Sequence, residues 1–289
     1  MFHTKHDRPF IFCYFTPMLN NQYSIKKISL FLFLSLFVSA CVEIPETGQK
    51  TLMLTTPAEE KQMGEQAYAE VMKKEKISKD PRLNGILKRV GNEIAQEAAQ
   101  PDFNWEFNII VSEQVNAWCM PGGKVAFYTG IFPYLKNEAG MATVMGHEVA
   151  HAVLRHAGQR ISQQMKQQLG LGLLSGATSG LFKNPAAHDQ IMNIFGAGSN
   201  VAFALPHSRE SETEADVIGL KYMAKAGYDP EEALRFWQRF SQAGGQAPPE
   251  FLSTHPAGAT RINTIKRLLP DAKKYYQQAE KKYGLGQTL

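Results

Sequence analysis

The clearest chemical content in this 289-residue chain is His147-Glu148-Val149-Ala150-His151, two histidines four apart with a glutamate beside the first. Residues four apart on a helix sit about 40° apart around the axis, so both imidazoles can project from one face and bind one ion. Glu148 points about 100° away from His147, which lets its carboxylate reach a water on a zinc ion that the histidines hold. The surrounding stretch, Ala139 to Val153, has no charged residue except Glu148 and no proline. A helix that is apolar all round is a buried one, and a carboxylate is rarely buried without a partner.

A catalytic zinc needs a third protein ligand and an open fourth position. His156 is nearest, but five residues after His151 it lies about 140° round the helix and converges on the same ion only if the helix breaks. The longer zinc-binding pattern, with glycine three residues and histidine six residues after the second histidine, is absent: Leu154 and Ala157 stand there. Downstream, Ser208-Arg209-Glu210-Ser211-Glu212-Thr213-Glu214-Ala215-Asp216 offers a second pair of groups four apart, Glu212 and Asp216. On a helix, one of them can ligate while the other orients a histidine from behind. Glu210 and Glu214 lie about 200° from Glu212, so one of the three is expected to face the histidines.

The pairing of His-Glu-Val-Ala-His with Ser-Arg-x-x-Glu-x-Glu-Ala-Asp resembles the M48 (Ste24/HtpX/Oma1-like) zinc metallopeptidases, most closely their bacterial lipoprotein members. Two further stretches match in the family's order: Asn116 to Lys124 (Asn-Ala-Trp-Cys-Met-Pro-Gly-Gly-Lys), and Ser253-Thr254-His255-Pro256 with Arg261. The resemblance implies an α+β, mostly helical zincin of the gluzincin type, with a small β-sheet beside the metal helix. It implies one Zn2+ per chain held by His147, His151 and Glu212, with Asp216 orienting a ligand and Glu148 as the catalytic carboxylate. The activity implied is endopeptidase, on polypeptides such as misfolded or misassembled envelope proteins. A lipoprotein that binds envelope or assembly partners without cutting them is the alternative. For His255 two roles stay open: donor to the developing oxyanion, or occupant of the fourth zinc position in a closed resting state.

The same resemblance bears on residues 115–120 and 124–129, two β-rich runs joined by Pro121-Gly122-Gly123. Such a hairpin could offer a free edge to an extended peptide, with main-chain hydrogen bonds that ignore substrate sequence. Gly123, Lys124, Val125, Ala126 and Phe127 are the expected substrate-binding residues.

Composition limits the alternatives. The formal charge is +4, but residues 1–40 hold four Lys/Arg against one acidic residue, so the rest is close to neutral and no nucleic-acid footprint is left to explain. Lys26-Lys27 precede an uncharged run from Ile28 to Val38, too short for the roughly 20 residues that span a bilayer but suited to a signal peptide. Its ending, Val-Ser-Ala-Cys41, resembles a bacterial lipobox, which makes Cys41 the expected lipidation site and anchors the chain to a membrane through an N-terminal lipid. Residues 1–17 sit oddly upstream, and Met18 gives a more usual leader start. Val42 is not the aspartate that retains bacterial lipoproteins at the inner membrane, so the periplasmic side of the outer membrane is the expected location. With Cys13 and Cys41 in the leader and lipobox, Cys119 is the one other cysteine, expected as a buried, inert thiol.

The domain reading is a leader over 1–40, a polar tether over 41–55 and a catalytic domain over 56–289. Thr56-Pro57-Ala58-Glu59 reads as a capping box ahead of a helix with Met63, Ala67 and Val71 on its apolar face. Asp80-Pro81 starts another that buries Leu83, Leu87, Val90 and Ile94. Trp105, Phe107, Ile109 and Val111 alternate like a half-buried strand. Residues 165–205, rich in Gly, Ala and Ser, are expected as a mobile lid rather than a membrane-inserted pair. A ligand helix runs from about Arg209 to Ala226 and stops at Gly227, and Asp229-Pro230 caps the next, with Leu234, Trp237 and Phe240. Gly244 to Pro249 form a loop, and the remainder reads as two terminal helices.

Overall fold

A computed structural model of the chain describes residues 41–175 (168–175 by backbone alone), 207–242, 251, 254–255, 258–286 and 288–289. The leader expected over 1–40, most of the expected lid and the Gly244–Pro249 loop lie outside the described residues. Val42–Leu289 form one compact unit. Two short strands, β1 (Cys41–Ile44) and β2 (Gln49–Leu52), pair ahead of helices α1 (Pro57–Lys74) and α2 (Pro81–Ala98). Then come β3 (Glu106–Ile110), β4 (Ala117–Met120), β5 (Lys124–Tyr128) and the short α3 (Phe132–Leu135). The metal-motif helix α4 (Glu138–Val153) is followed by α5 (His156–Ser175), α6 (Arg209–Lys225), α7 (Glu231–Gln242) and α8 (Ala259–Gln278). The architecture is mostly helical α+β, as expected.

Local chemistry sets most of these boundaries. The capping box is complete: Glu59 N–H donates to the Thr56 hydroxyl and Thr56 N–H to the Glu59 carboxylate. Asp80 Oδ1 accepts from the amides of Arg82 and Leu83 to start α2, and Asn137 Oδ1 accepts from Gly140 to start α4. Gly227, at φ +84°, ends α6 in the conformation glycine tolerates best.

Four expectations need correction. The segment 41–55 is no free tether: Ile44 and Met53 are buried, and the amide of Leu54 donates to Ser162 Oγ. Two apolar side chains in a polar stretch are enough to lay it on the body. Strand β3 is covered on both faces, because Phe107 and Ile109 pack in the main core while Ile110 packs with Tyr68 and Val71 of α1. Val111 lies past the strand's end and is exposed. The C-terminal region is one helix, α8, which runs through Pro270, and the described residues after it, 279–286 and 288–289, are not helical. Proline there forgoes one backbone hydrogen bond, which the packing of Ile265 and Ala272 offsets.

The fourth concerns the hairpin. It forms, with Gly122 and Gly123 at φ +87° and +83°, but the sheet order is β3-β5-β4. β5 is therefore the middle strand, parallel to β3 (Phe107 opposite Val125) and antiparallel to β4 (Cys119 opposite Val125). Lys124, Val125, Ala126 and Phe127 are buried with both backbone edges taken, and Gly123 N–H bonds to Met120 O. The Lys124 ammonium is held by Glu106 and by Asn104 O, each at 2.8 Å. None of the five has a backbone edge left for a peptide strand; among the described residues the outer side of β4, Ala117–Met120, is unpaired, and that of β3 is taken in part by Lys76 and Ser78.

Helices α4 and α6 cross in backbone contact at Gly146 and Gly219. A Cβ on Gly219 would lie 2.7 Å from His147 N, and one on Gly146 would lie 2.6 Å from Gly219 O. Any side chain at either position pushes the helices apart next to His147. Gly219→Ala is expected to destabilise the protein by about 3 kcal/mol, a Tm fall of roughly 6–12 °C for a domain of this size. Thermal denaturation of the metal-free variant checks this; an unchanged Tm would mean the crossing relaxes freely.

Candidate metal centre

All residues of α4 are buried, so the helix presents its polar groups to the interior and each needs a partner. At its start, Glu138 receives a two-pronged contact from Arg89, both bonds 2.8 Å, and a bond from the Tyr228 hydroxyl. Near its end, His147 and His151 converge with Glu212 of α6 and with His255. The Nε2 atoms of His147 and His151 are 3.1 Å apart, and His255 Nδ1 is 3.2 Å from His147 Nε2. Glu212 Oε1 is 3.0 Å from His255 Nδ1 and 3.3 Å from His151 Nε2, and its Oε2 is 3.5 Å from His147 Nε2.

These separations fit a cation. Ligands 2.0–2.1 Å from a tetrahedral zinc are about 3.3–3.4 Å from one another. Three imidazole nitrogens and a carboxylate oxygen that face inward at that spacing are the donor set such an ion takes. Burial alone would depress His147, yet the Asp216 and Glu212 carboxylates outweigh it and hold its pKa up at about 9. Burial dominates at His151 and keeps it neutral. Burial would raise Glu212 too, but the surrounding histidines hold its carboxyl well below the usual carboxylate range.

Around this cluster the expected residues take distinct places. Asp216 Oδ1 lies 3.0 Å from His147 Nδ1, off the ideal N–H direction, and Asp216 Oδ2 accepts from Arg261 Nε at 2.6 Å. Arg261 Nη2 also bonds Glu212, and the guanidinium lies 3.8 Å from the Trp237 ring centre. Those carboxylates keep Arg261 charged despite burial, which acts the other way. Glu148 is buried, and its Oε1 has no hydrogen-bond partner among the described residues; His255 Nε2 is 3.6 Å from it. Burial raises the Glu148 pKa above the ordinary carboxylate value. Burial and the nearby Glu148 both push the Cys119 thiol well up, so it stays protonated, as an inert thiol should. Cys41 is exposed at the start of β1 and far from being a core residue.

Three residues carry more than spacing revealed. His156 sits 2.8 Å from His151, ring nitrogen to ring nitrogen. His207 lies against His151 with ring centres 4.0 Å apart and planes tilted by 36°, and its amide donates to Thr254 O, which ties it to the His255 segment. Glu214 reaches His156 at 3.2 Å, so Glu212 is not alone among the three glutamates in facing a histidine. The sequence signal for His156 was its place just past a possible helix break; His207 had none.

Comparison with known proteins agrees with this geometry. Residues 81–269, well over half the chain, match Peptidase family M48. The chain is 35% identical to the mitochondrial metalloendopeptidase OMA1 of Schizosaccharomyces pombe, over 74% of this chain and 62% of that protein. It is 28% identical to the putative beta-barrel assembly-enhancing protease of Vibrio cholerae, over 76% and 46%, and 25% identical to the beta-barrel assembly-enhancing protease of Escherichia coli K12, over 78% and 47%. An α+β fold with a buried His/Glu cluster at the crossing of two helices defines a zincin-like metallopeptidase domain. The chain belongs to peptidase family M48, which implies a metal cofactor and polypeptide substrates. It spans between 46% and 62% of the length of these three curated relatives.

Proposed function

We propose that this protein is a zinc-dependent endopeptidase of the bacterial cell envelope that cuts misfolded or misassembled envelope proteins. The observation that carries the reading is the inward-facing set His147, His151, Glu212 and His255, with the buried Glu148 carboxylate beside it, its Oε1 without a hydrogen bond among the described residues. His147, His151 and Glu212 would hold the zinc, and Asp216 and Arg261 fix the first and third of these. When bound, a zinc ion supplies polarisation of a peptide carbonyl and a lowered pKa for an attacking water. Glu148 accepts the proton at Oε1 and returns it to the departing amine; its raised pKa suits both steps. The outer edge of β4, unpaired among the described residues on a strand that packs against α4, is where a substrate strand would add.

Of the two roles open for His255, the distances favour the resting-state one. Its Nδ1 stands 3.0 Å from Glu212 Oε1 and 3.2 Å from His147 Nε2, so His255 would be able to join the residues that hold the zinc. It must leave before water and substrate can enter. A chelator is expected to abolish cleavage of casein and one equivalent of zinc to restore it, and His255→Ala, with zinc retained, should raise the basal rate on a short peptide. A 10² to 10³-fold fall in turnover with zinc still bound would instead make His255 the oxyanion donor.

The envelope setting rests on the leader and on Cys41. We propose that residues 1–40 are removed, that Cys41 carries the lipid, and that the protein faces the periplasm from the outer membrane. Relatives named for beta-barrel assembly support that setting, while those named mitochondrial show that the domain also serves elsewhere. If Cys41 carries the lipid, the packing of 42–55 on the body would hold the catalytic unit close to the bilayer rather than on a long leash. Cys41→Ser is expected to leave the membrane fraction for the soluble one; a variant still anchored would end the lipobox reading. No helix among the described residues is long and apolar enough to cross a membrane.

A further inference from the structure

The turn after the metal helix has an unusual build. α4 ends at Val153, and Arg155 adopts φ +57°, so the chain reverses into α5 within two residues. Arg155 is pinned there by Glu60, at 2.8 and 3.1 Å, and by Thr55 O at 2.9 Å. Gly158 makes room for that carboxylate, since a Cβ there would lie 2.1 Å from Glu60 Oε1. The outcome is that His156, 1% exposed, is swung back behind His151 instead of 140° away from it.

The distances then allow a single consistent set of protons. If His151 offers Nε2 to a cation, its proton sits on Nδ1 and points at His156 Nδ1, 2.8 Å away. His156 must accept there, so its own proton sits on Nε2, aimed at Glu214 Oε2 at 3.2 Å. Glu214, two residues after Glu212 and so about 200° round α6, is partly exposed. One helix thus serves both histidines: Asp216 backs His147 directly, and Glu214 backs His151 through an interposed imidazole.

We propose that His156 and Glu214 are positioning residues that lock the tautomer and ring orientation of His151 and thereby set metal affinity. The proposal rests on the reading of His151 as a metal ligand. Groups that hold a ligating histidine from behind typically contribute 10 to 100-fold in metal affinity. Because His156 never touches the ion, its loss should weaken binding without changing the stoichiometry.

The test is zinc affinity of the full chain by competition with a chromophoric chelator, alongside the spectrum of the cobalt-loaded protein and the Tm of the metal-free protein. His156→Leu, close in size, is expected to weaken zinc 10 to 100-fold and shift the cobalt bands. His156→Asn keeps an acceptor oxygen near Nδ1 and should recover most of that loss. Glu214→Ala, at a partly exposed position, should weaken zinc several-fold, and it carries the test if the leucine variant fails to fold. A leucine variant within twofold of the parent, or leucine and asparagine variants equally weakened, would overturn the relay. So would a second zinc equivalent in the parent that His156→Leu removes, since His151, His156 and His207 nitrogens also lie within 4.8 Å of one another. Failure of the parent to bind any zinc would instead sink the proposed function, and only the variant-to-parent ratio bears on the relay.

Discussion

Glu148→Gln is expected to keep one zinc per chain and lose peptide hydrolysis by at least three orders of magnitude. The amide is nearly isosteric with the carboxylate, so packing in α4 is preserved. Removing a buried charge that has no hydrogen-bond partner at Oε1 also relieves a desolvation penalty, and the variant should be no less stable than the parent. What it cannot do is accept a proton. With the base gone, attack has to proceed with a proton left on the water, and general-base loss alone accounts for about 10² to 10⁴ in rate. The remaining loss comes from the same group's second task, protonation of the leaving amine. Zinc content by metal analysis, paired with turnover of casein, checks the result; near-parent cleavage would mean another group takes the proton.

Glu212→Ala should have the second largest effect, loss of the metal and of activity with it. Among the described residues its carboxylate supplies the only acidic oxygens within 3.5 Å of His147 Nε2 and His151 Nε2. Without it the ion would keep only neutral imidazoles, those of His147, His151 and the resting-state His255, and Arg261, now lacking one of its two carboxylate partners, is a buried cation near His147 Nε2 at 3.5 Å. That repels a metal further, so the affinity loss should exceed what one missing ligand contributes. Glu210→Ala, by contrast, alters an exposed residue in the first turn of α6 and should hold zinc as the parent does. Glu214→Ala should also bind one zinc at micromolar concentration, its weakening visible only against a strong competitor. Equal zinc content in all three variants under a competing chelator would refute the assignment of Glu212.

Much of this site was legible in the residues alone, for a definite reason. Spacing of four on a helix is a rigid rule, so His147 with His151 and Glu212 with Asp216 could be paired without knowing how the two helices meet. Caps are equally local, which is why Thr56, Asp80 and Gly227 mark helix ends where expected. Tertiary structure decided what depends on distant neighbours. Which strand is central follows from β3 pairing with β5 across the sheet, and that moved the free edge from Lys124–Phe127 to β4. The polar 41–55 stretch folded because Ile44 joins the main core and Met53 is buried, which no local pattern announces. His156 is the sharpest case: helical periodicity sends it away from His151, and only the left-handed turn at Arg155, held by a glutamate from α1, brings it back. Periodicity describes a chain that continues; where packing makes it turn, the partners across the turn decide.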